Sequence, residues 1–249
     1  MQNAEIVRPK MVLFDFGHTL MAEPDASELR AAEALLRHCV KNPQNLHAED
    51  IQRFCRELWR KFCRPAAQAG REVQDFQFQR LRSALLGLEF SLSPQEQELV
   101  FWEAYTPVAP MPHIEELLAF LEARGIRKGV VSNISFSGET LAARLAKGLP
   151  GYDFEFVIAS SDYGVRKPDP LIFQVALAKA GLEAGDAWFC GDSPSYDIEG
   201  AHAAGMRAVW YDDRTVDCLY RDPAQEPPAC PHVHIHGWRE LIDILKETQ

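Results

Sequence analysis

Asp15 closes a short apolar run, Met11 to Phe14, that reads as a buried strand. An aspartate there faces the crevice beyond the strand's carboxyl end, where open α/β sheets take their ligands. Three later segments set polar residues in comparable places: Ser132-Asn133 after Gly129-Val130-Val131, Lys167 between Arg166 and Pro168, and Gly191-Asp192 after Trp188-Phe189-Cys190, with Asp197 five residues on. Brought to one point, these residues offer three carboxylates, an ammonium, a hydroxyl and an amide. Glycine at 191 permits a tight turn, and two carboxylates on one loop call for a cation. Taken singly, each signal has a plainer reading. Asp15 could be a turn aspartate, Ser132-Asn133 a turn after a strand, and Asp192 or Asp197 a helix cap.

The positioning elements follow from periodicity. Residues from Asp25 to about Tyr105 read as helical throughout, with apolar positions three and four apart at Leu29, Leu35, Leu36 and Val40, then at Ile51, Phe54, Leu58 and Phe62. Gln74 to Leu88 is read as a helix carrying Phe78, Leu81, Leu85 and Leu88 on one side. Ser93-Pro94-Gln95-Glu96 opens another with an N-cap serine and proline at the first helical position. After Pro110-Met111-Pro112 the pattern alternates. Helices are expected at 114–124, 139–147, 170–180, 195–204 and 241–246, and strands at 127–131, 155–159, 187–190, 207–211 and near Val233. Such alternation predicts an α/β fold with a parallel sheet and helices on both faces. The first strand belongs to that core, so the long helical block is an insertion, with hinges at 21–24 and 106–112 where prolines break the pattern.

Composition narrows the class. The chain has 249 residues, enough to bury a full core, and 47% are hydrophobic. Its net charge of −10, with no basic cluster, disfavours nucleic acid. No apolar run approaches the roughly 20 residues of a membrane helix, and residues 1–10 lack the apolar segment of a signal peptide, so a cytoplasmic protein without a membrane partner is expected. The oligomeric state is not legible. The six cysteines show neither a C-x-x-C pair nor zinc spacing and read as small buried hydrophobes kept reduced.

In order and residue type, the segments Phe14-Asp15-Phe16-Gly17-His18-Thr19-Leu20, Gly129 to Asn133, Arg166-Lys167-Pro168 and Gly191 to Asp197 resemble the haloacid dehalogenase-like superfamily, most of whose members are Mg²⁺-dependent phosphatases. The resemblance covers residues 10–20 and about 110–212, and only the layout of the insertion. It implies a Rossmann-like core from residues 1–20 and 108–249, with an inserted α-helical cap at 21–107 that closes over the site and chooses the substrate. By the same resemblance, Asp15 becomes an aspartyl-phosphate on the way to hydrolysis of a small phosphorylated substrate. Mg²⁺ is held by the Asp15 and Asp192 carboxylates and the main-chain carbonyl at Gly17, and Asp197 completes the shell or orients metal-bound water. Lys167 balances charge, three carboxylates standing against the dication and one ammonium. Ser132 and Asn133 hold the phosphoryl oxygens.

One position departs from that pattern. Where the family has a second aspartate that protonates the leaving group and activates water, this chain has Gly17. Three readings stay open: His18 takes over acid–base work, the substrate has a leaving group that needs no proton or supplies its own, or the protein binds a phosphorylated ligand with little or no turnover. Phosphonate-cleaving relatives also have a small residue there but need a cap lysine, for which Lys41 and Lys61 are the candidates. True haloacid dehalogenases need no metal and lack the acidic motif kept here as Gly191-Asp192, so dehalogenation is not expected.

Two further features lie outside these motifs. His232, His234 and His236 alternate, so a strand would set them on one face; an exposed edge strand is the plain reading and a metal the sharper one. Trp59 and Trp102, with Arg64 and Arg71, could line a substrate entrance, although core packing is the expected task of the tryptophans.

Overall fold

The computed structural model describes residues 7–216 and 226–248. Its centre is β1 (Met11–Phe14), an all-buried run of Met, Val, Leu and Phe. A strand apolar on both sides is stable only when covered on both sides, as in parallel sheets. Val12 and Phe14 accordingly join one core cluster while Met11 and Leu13 join a second on the opposite face.

Along the chain, β2 (Met21–Ala22) leads into α1 (Glu28–Leu36), β3 (Cys39–Lys41), α2 (Ala48–Leu58), a π-helical turn at Trp59–Cys63 and α3 (Arg64–Gln68). Then come α4 (Asp75–Leu86), β4 (Glu89–Phe90), α5 (Pro94–Tyr105) and β5 (Ala109–Pro110). The alternating part holds α6 (Ile114–Ala123), β6 (Arg127–Ser132), α7 (Gly138–Gly148), β7 (Val157–Ala159), α8 (Ser160–Tyr163), α9 (Pro170–Ala180), β8 (Ala187–Gly191), α10 (Gly200–Ala203), β9 (Arg207–Tyr211), β10 (Val233–Ile235) and α11 (Trp238–Glu247). Six strands form one parallel sheet in the order β10-β9-β8-β1-β6-β7. This is the Rossmann-like α/β fold that the alternation predicts. Met11 pairs with Arg127 on one side and Ala187 on the other. The carboxyl ends of β1, β6 and β8 therefore open side by side, at the point where strand order reverses.

The insertion is less uniformly helical than its sequence suggests. β3 and β4 form a short antiparallel ribbon, and Val40, read as a helical core position, lies in β3 and is 67% exposed. The β-branched Val40 beside Cys39 suits a ribbon. In α4 the buried residues are Gln79, Arg82 and Leu86, not the stripe through Phe78, Leu81 and Leu85; Arg82 donates to Gln97 and lies over the Phe90 ring. A buried guanidinium with a hydrogen-bond partner and an aromatic face can replace a leucine, so the polar positions misled the periodicity. Phe62 is likewise exposed, because the π turn shifts the face presented after Leu58. The N-cap at Ser93 does form, as a reciprocal capping box with Glu96.

The two segments flanking the insertion meet as a two-stranded antiparallel ribbon of β2 and β5, and the Thr106 hydroxyl donates to the Pro24 carbonyl at 2.6 Å. Of the cysteines, only Cys190 is buried among the described residues; Cys39, Cys55, Cys63 and Cys230 are partly exposed thiols, and Cys218 lies outside the described residues. Among the described residues no helix is long and apolar enough to cross a membrane.

The corrected face of α4 can be checked by denaturant unfolding. Leu86→Ala is expected to cost about 2–5 kcal/mol, as for a filled core position, whereas Leu85→Ala, 60% exposed, should stay within about 0.5 kcal/mol.

Candidate active site

Asp15 leaves β1 with its N–H bonded to the Cys190 carbonyl at 2.9 Å, so the first motif is tied to the strand carrying the last. Lys167 reaches this point from the loop before α9, 1% exposed, and its ammonium donates to Asp15 Oδ1 at 2.7 Å, Asp197 Oδ1 at 2.6 Å and the Val131 carbonyl at 2.9 Å. All three donors are thereby used. Burial opposes the ammonium, but Asp15 and Asp197 outweigh it and raise the Lys167 pKa. Asn133 clamps the lysine's backbone in both directions: its amide donates to the Lys167 carbonyl at 2.9 Å and accepts the Lys167 N–H at 2.7 Å. The amide expected to hold phosphoryl oxygens is thus turned toward the lysine, because Asn133, just past the end of β6, lies beside the loop that carries Lys167. Ser132 is buried at the end of β6 and lines the same cavity.

The last motif does not form a regular α-helix over 195–204. Pro194–Glu199 is π-helical and α10 follows. In this widened turn Asp197 reaches back under the loop, accepting the Ser193 N–H at 3.0 Å with Oδ2 while Oδ1 takes Lys167. Glycine at 191 is required by that return, since a Cβ there would stand 2.3 Å from the Asp197 carboxyl carbon. The requirement is close approach, not the left-handed backbone of a tight turn. Carboxylate oxygens of Asp15, Asp192 and Asp197 come within 4.8 Å of one another. Burial pushes the Asp197 carboxyl up to about 6, with Lys167 pulling down and Asp15 pushing up. All-oxygen donors at this spacing suit a hard dication such as Mg²⁺.

Gly17 and His18 both line the cavity, and His18 is buried with a left-handed backbone (φ 53°). A Cβ at Gly17 would meet nothing within 4 Å, so the missing side chain leaves open space. The cavity has a volume of about 480 Å³ and continues from Asp15 to the helical insertion, where Trp59, Phe101, Trp102 and Tyr105 line it. Trp59 is 53% exposed and is no core residue, whereas Trp102 is buried, stacks on Phe136 at 4.6 Å and still borders the cavity. Arg64 and Arg71 do not line it; Arg166 does, paired with Glu72 at 3.4 Å.

Sequence reasoning missed Glu23. It lies just after the first hinge strand, borders the cavity, accepts from Trp102 Nε1 at 2.7 Å and pairs with Arg144 at 3.4 Å. Burial raises its pKa against the pull of Trp102 and Arg144. Glu98 was missed too. Fully buried on α5, it accepts from Ser137 and Thr140 at the start of α7 and ties the insertion to the core. Neither a glutamate after a short strand nor one within a helix carries a sequence signal of its role.

A family model described as haloacid dehalogenase-like hydrolase matches residues 9–205. A phosphoserine phosphatase of Thermus thermophilus is 30% identical over 94% of this chain and 90% of its own. A ribulose-1,5-bisphosphate 5-phosphatase of Halopiger xanaduensis is 29% identical over 81% of this chain and 84% of its own. The solved 2-haloacid dehalogenase of Pseudomonas syringae superposes with a TM-score of 0.63 and 26% identity, covering 97% of this chain and 99% of that one. The chain belongs to the haloacid dehalogenase-like hydrolase family.

Asp197 supplies a pH test. A carboxyl with a folded pKa above its unfolded 3.8 binds its proton better in the folded chain, so the stability it contributes is present below about 3.8 and lost as pH rises toward 6. Denaturant unfolding in EDTA is expected to show the natural protein losing stability relative to Asp197→Asn between those pH values. A constant difference would remove the burial argument.

Proposed function

We propose that this protein is a Mg²⁺-dependent phosphohydrolase acting on a small phosphorylated metabolite through Asp15. The observation that carries this reading is charge. Asp15, Asp192 and Asp197 sum to −3 against one ammonium, so the cluster is two charges short of neutral, with Asp197 and the ammonium buried. A bound Mg²⁺ would supply that balance, held by the Asp15 and Asp192 carboxylates and the Gly17 carbonyl, and would neutralise phosphoryl charge as it develops. Two relatives named as phosphatases support the reading; their substrates differ, so neither is assigned to this chain. A haloacid substrate would demand no dication, and the retained Asp192 argues for phosphate over the chemistry named for the Pseudomonas relative.

In this mechanism Lys167 fixes one oxygen of Asp15, which leaves the other to attack phosphorus in line. The resulting aspartyl-phosphate is then cleaved by water. Asn133 and Asp197 act through Lys167, the first on its backbone and the second on its ammonium. Ser132 and the main-chain N–H groups after Asp15 meet the phosphoryl oxygens. The cap comprises residues 21–107, on a core of 1–20 and 108–249, and contributes the aromatic wall of the cavity.

Gly17 sets the substrate class. Loss of a general acid costs roughly 10²–10⁴ in rate when the leaving group needs a proton and little when it does not, so aryl, acyl and anhydride phosphates are favoured over alkyl phosphates. His18 is near enough to be tested for the same task. Phosphonate cleavage is disfavoured, because Lys41 and Lys61 pair with Glu89 and Glu57 on exposed surface and neither lines the cavity.

Phosphate release with Mg²⁺ over a panel of aryl, acyl and alkyl phosphates tests the reading. The natural protein is expected to turn over good leaving groups, Asp15→Asn none, and Gly17→Asp, whose side chain has open space, to gain roughly 10²-fold or more on alkyl esters. Silence of the natural protein across the panel, with Mg²⁺ and phosphate analogues still raising its melting temperature, would favour a phosphate-ligand binding protein instead.

A further inference from the structure

The parallel sheet ends at β10, whose only strand neighbour among the described residues is β9. Here the alternating histidines meet an acid. Asp212 follows β9, is 8% exposed, and stands 3.5 Å from His234 Nε2 through its Oδ2. Ligating atoms of Asp212, His234 and His236 all fall within 4.8 Å of one another. We propose that these three side chains form a second metal site, selective for a transition-metal dication such as Zn²⁺ and separate from the Asp15 cluster.

The surroundings prepare the donors. His236 Nδ1 lies 3.2 Å from the Asp212 carbonyl oxygen. A carbonyl only accepts, so the neutral ring places its proton on Nδ1 and presents the Nε2 lone pair outward. The His234 ring is stacked on Trp210 at 4.2 Å and 17°, which restricts its rotation. Trp210 is in turn fixed by donating Nε1 to the Asp192 carbonyl at 3.1 Å. Asp212 keeps one oxygen on Arg214 Nε at 2.5 Å and the other toward His234. Arg214 thus orients the carboxylate as hydrogen-bond donors orient ligating carboxylates elsewhere. His232 is not counted among the ligands, since its ring is 6.1 Å from that of His234, against 4.5 Å for His236, and it lies outside the cluster of ligating atoms.

Donor chemistry separates the two clusters. The site at Asp15 offers oxygen alone and suits a hard ion, whereas two imidazoles and one carboxylate favour Zn²⁺, Co²⁺ or Ni²⁺ over Mg²⁺. Three ligands leave a coordination position to water or another molecule. The inference does not depend on the phosphatase reading, because no residue is shared between the clusters.

The test is a calorimetric titration of the full chain with ZnCl₂ in excess Mg²⁺. One binding event is expected to weaken by roughly 10- to 100-fold or more in His234→Ala and again in His236→Ala, and to persist in Asp15→Asn. Both histidines are exposed, so the variants should keep the natural melting temperature. Co²⁺ in place of Zn²⁺ is expected to give visible absorption bands that vanish in the same variants. Absence of any zinc binding, binding unchanged in the His234→Ala/His236→Ala double variant, or binding abolished by Asp15→Asn would each overturn the proposal.

Discussion

The buried ammonium of Lys167 is the constraint on which the site depends. It joins Asp15, Asp197 and the end of β6 in one set of three hydrogen bonds. Removing any carboxylate partner would leave charge stranded in the interior, where an uncompensated ion is costly. The lysine is therefore held from several directions: Asn133 on its backbone, the π-helical turn behind Asp197, and glycine at 191 where a side chain would block the approach. Positions far apart in sequence are coupled by one cation.

The sheet supplies the frame for this arrangement. Register between β1 and its two neighbours sets three strand ends level, and motif residues need only follow those ends to converge. The insertion meets the same place from above. Its anchors are polar and buried: Glu98 on Ser137 and Thr140, and Arg144 between Glu23, Trp102 and the Thr106 carbonyl. These bonds fix the aromatic wall relative to Asp15.

Much of this was legible from residue type and spacing. The apolar runs of the core strands identify them because strands covered on both faces tolerate few polar residues, and Asp15 and Asp192 stand directly where two of those runs end. Reading failed where a polar side chain does the work of an apolar one. Arg82 and Gln79 occupy buried positions of α4, and Glu98 and Glu23 sit in the interior as hydrogen-bond hubs. Their signal is a partner distant in sequence, which periodicity does not carry. Asn133 lines the cavity, but the direction of its amide was not legible, since that depends on which neighbour it faces. The histidine strand was recognised, while the acid of its cluster stands just past the end of the preceding strand.

The order of the sheet has a bearing on synthesis. β1 is made well before its two neighbours: Lys10 and Asp186, bonded beside the β1–β8 pair, are 176 residues apart. At translation rates of about 5–20 residues per second, the most apolar strand of the core waits roughly 9–35 seconds for its second partner. During that interval the helical insertion can collapse on its own cluster of Ala32, Ile51, Leu86 and Leu88, while at least one edge of β1 remains unpaired. The arrangement that buries β1 on both faces in the finished protein is therefore also what leaves that strand exposed in the unfinished one.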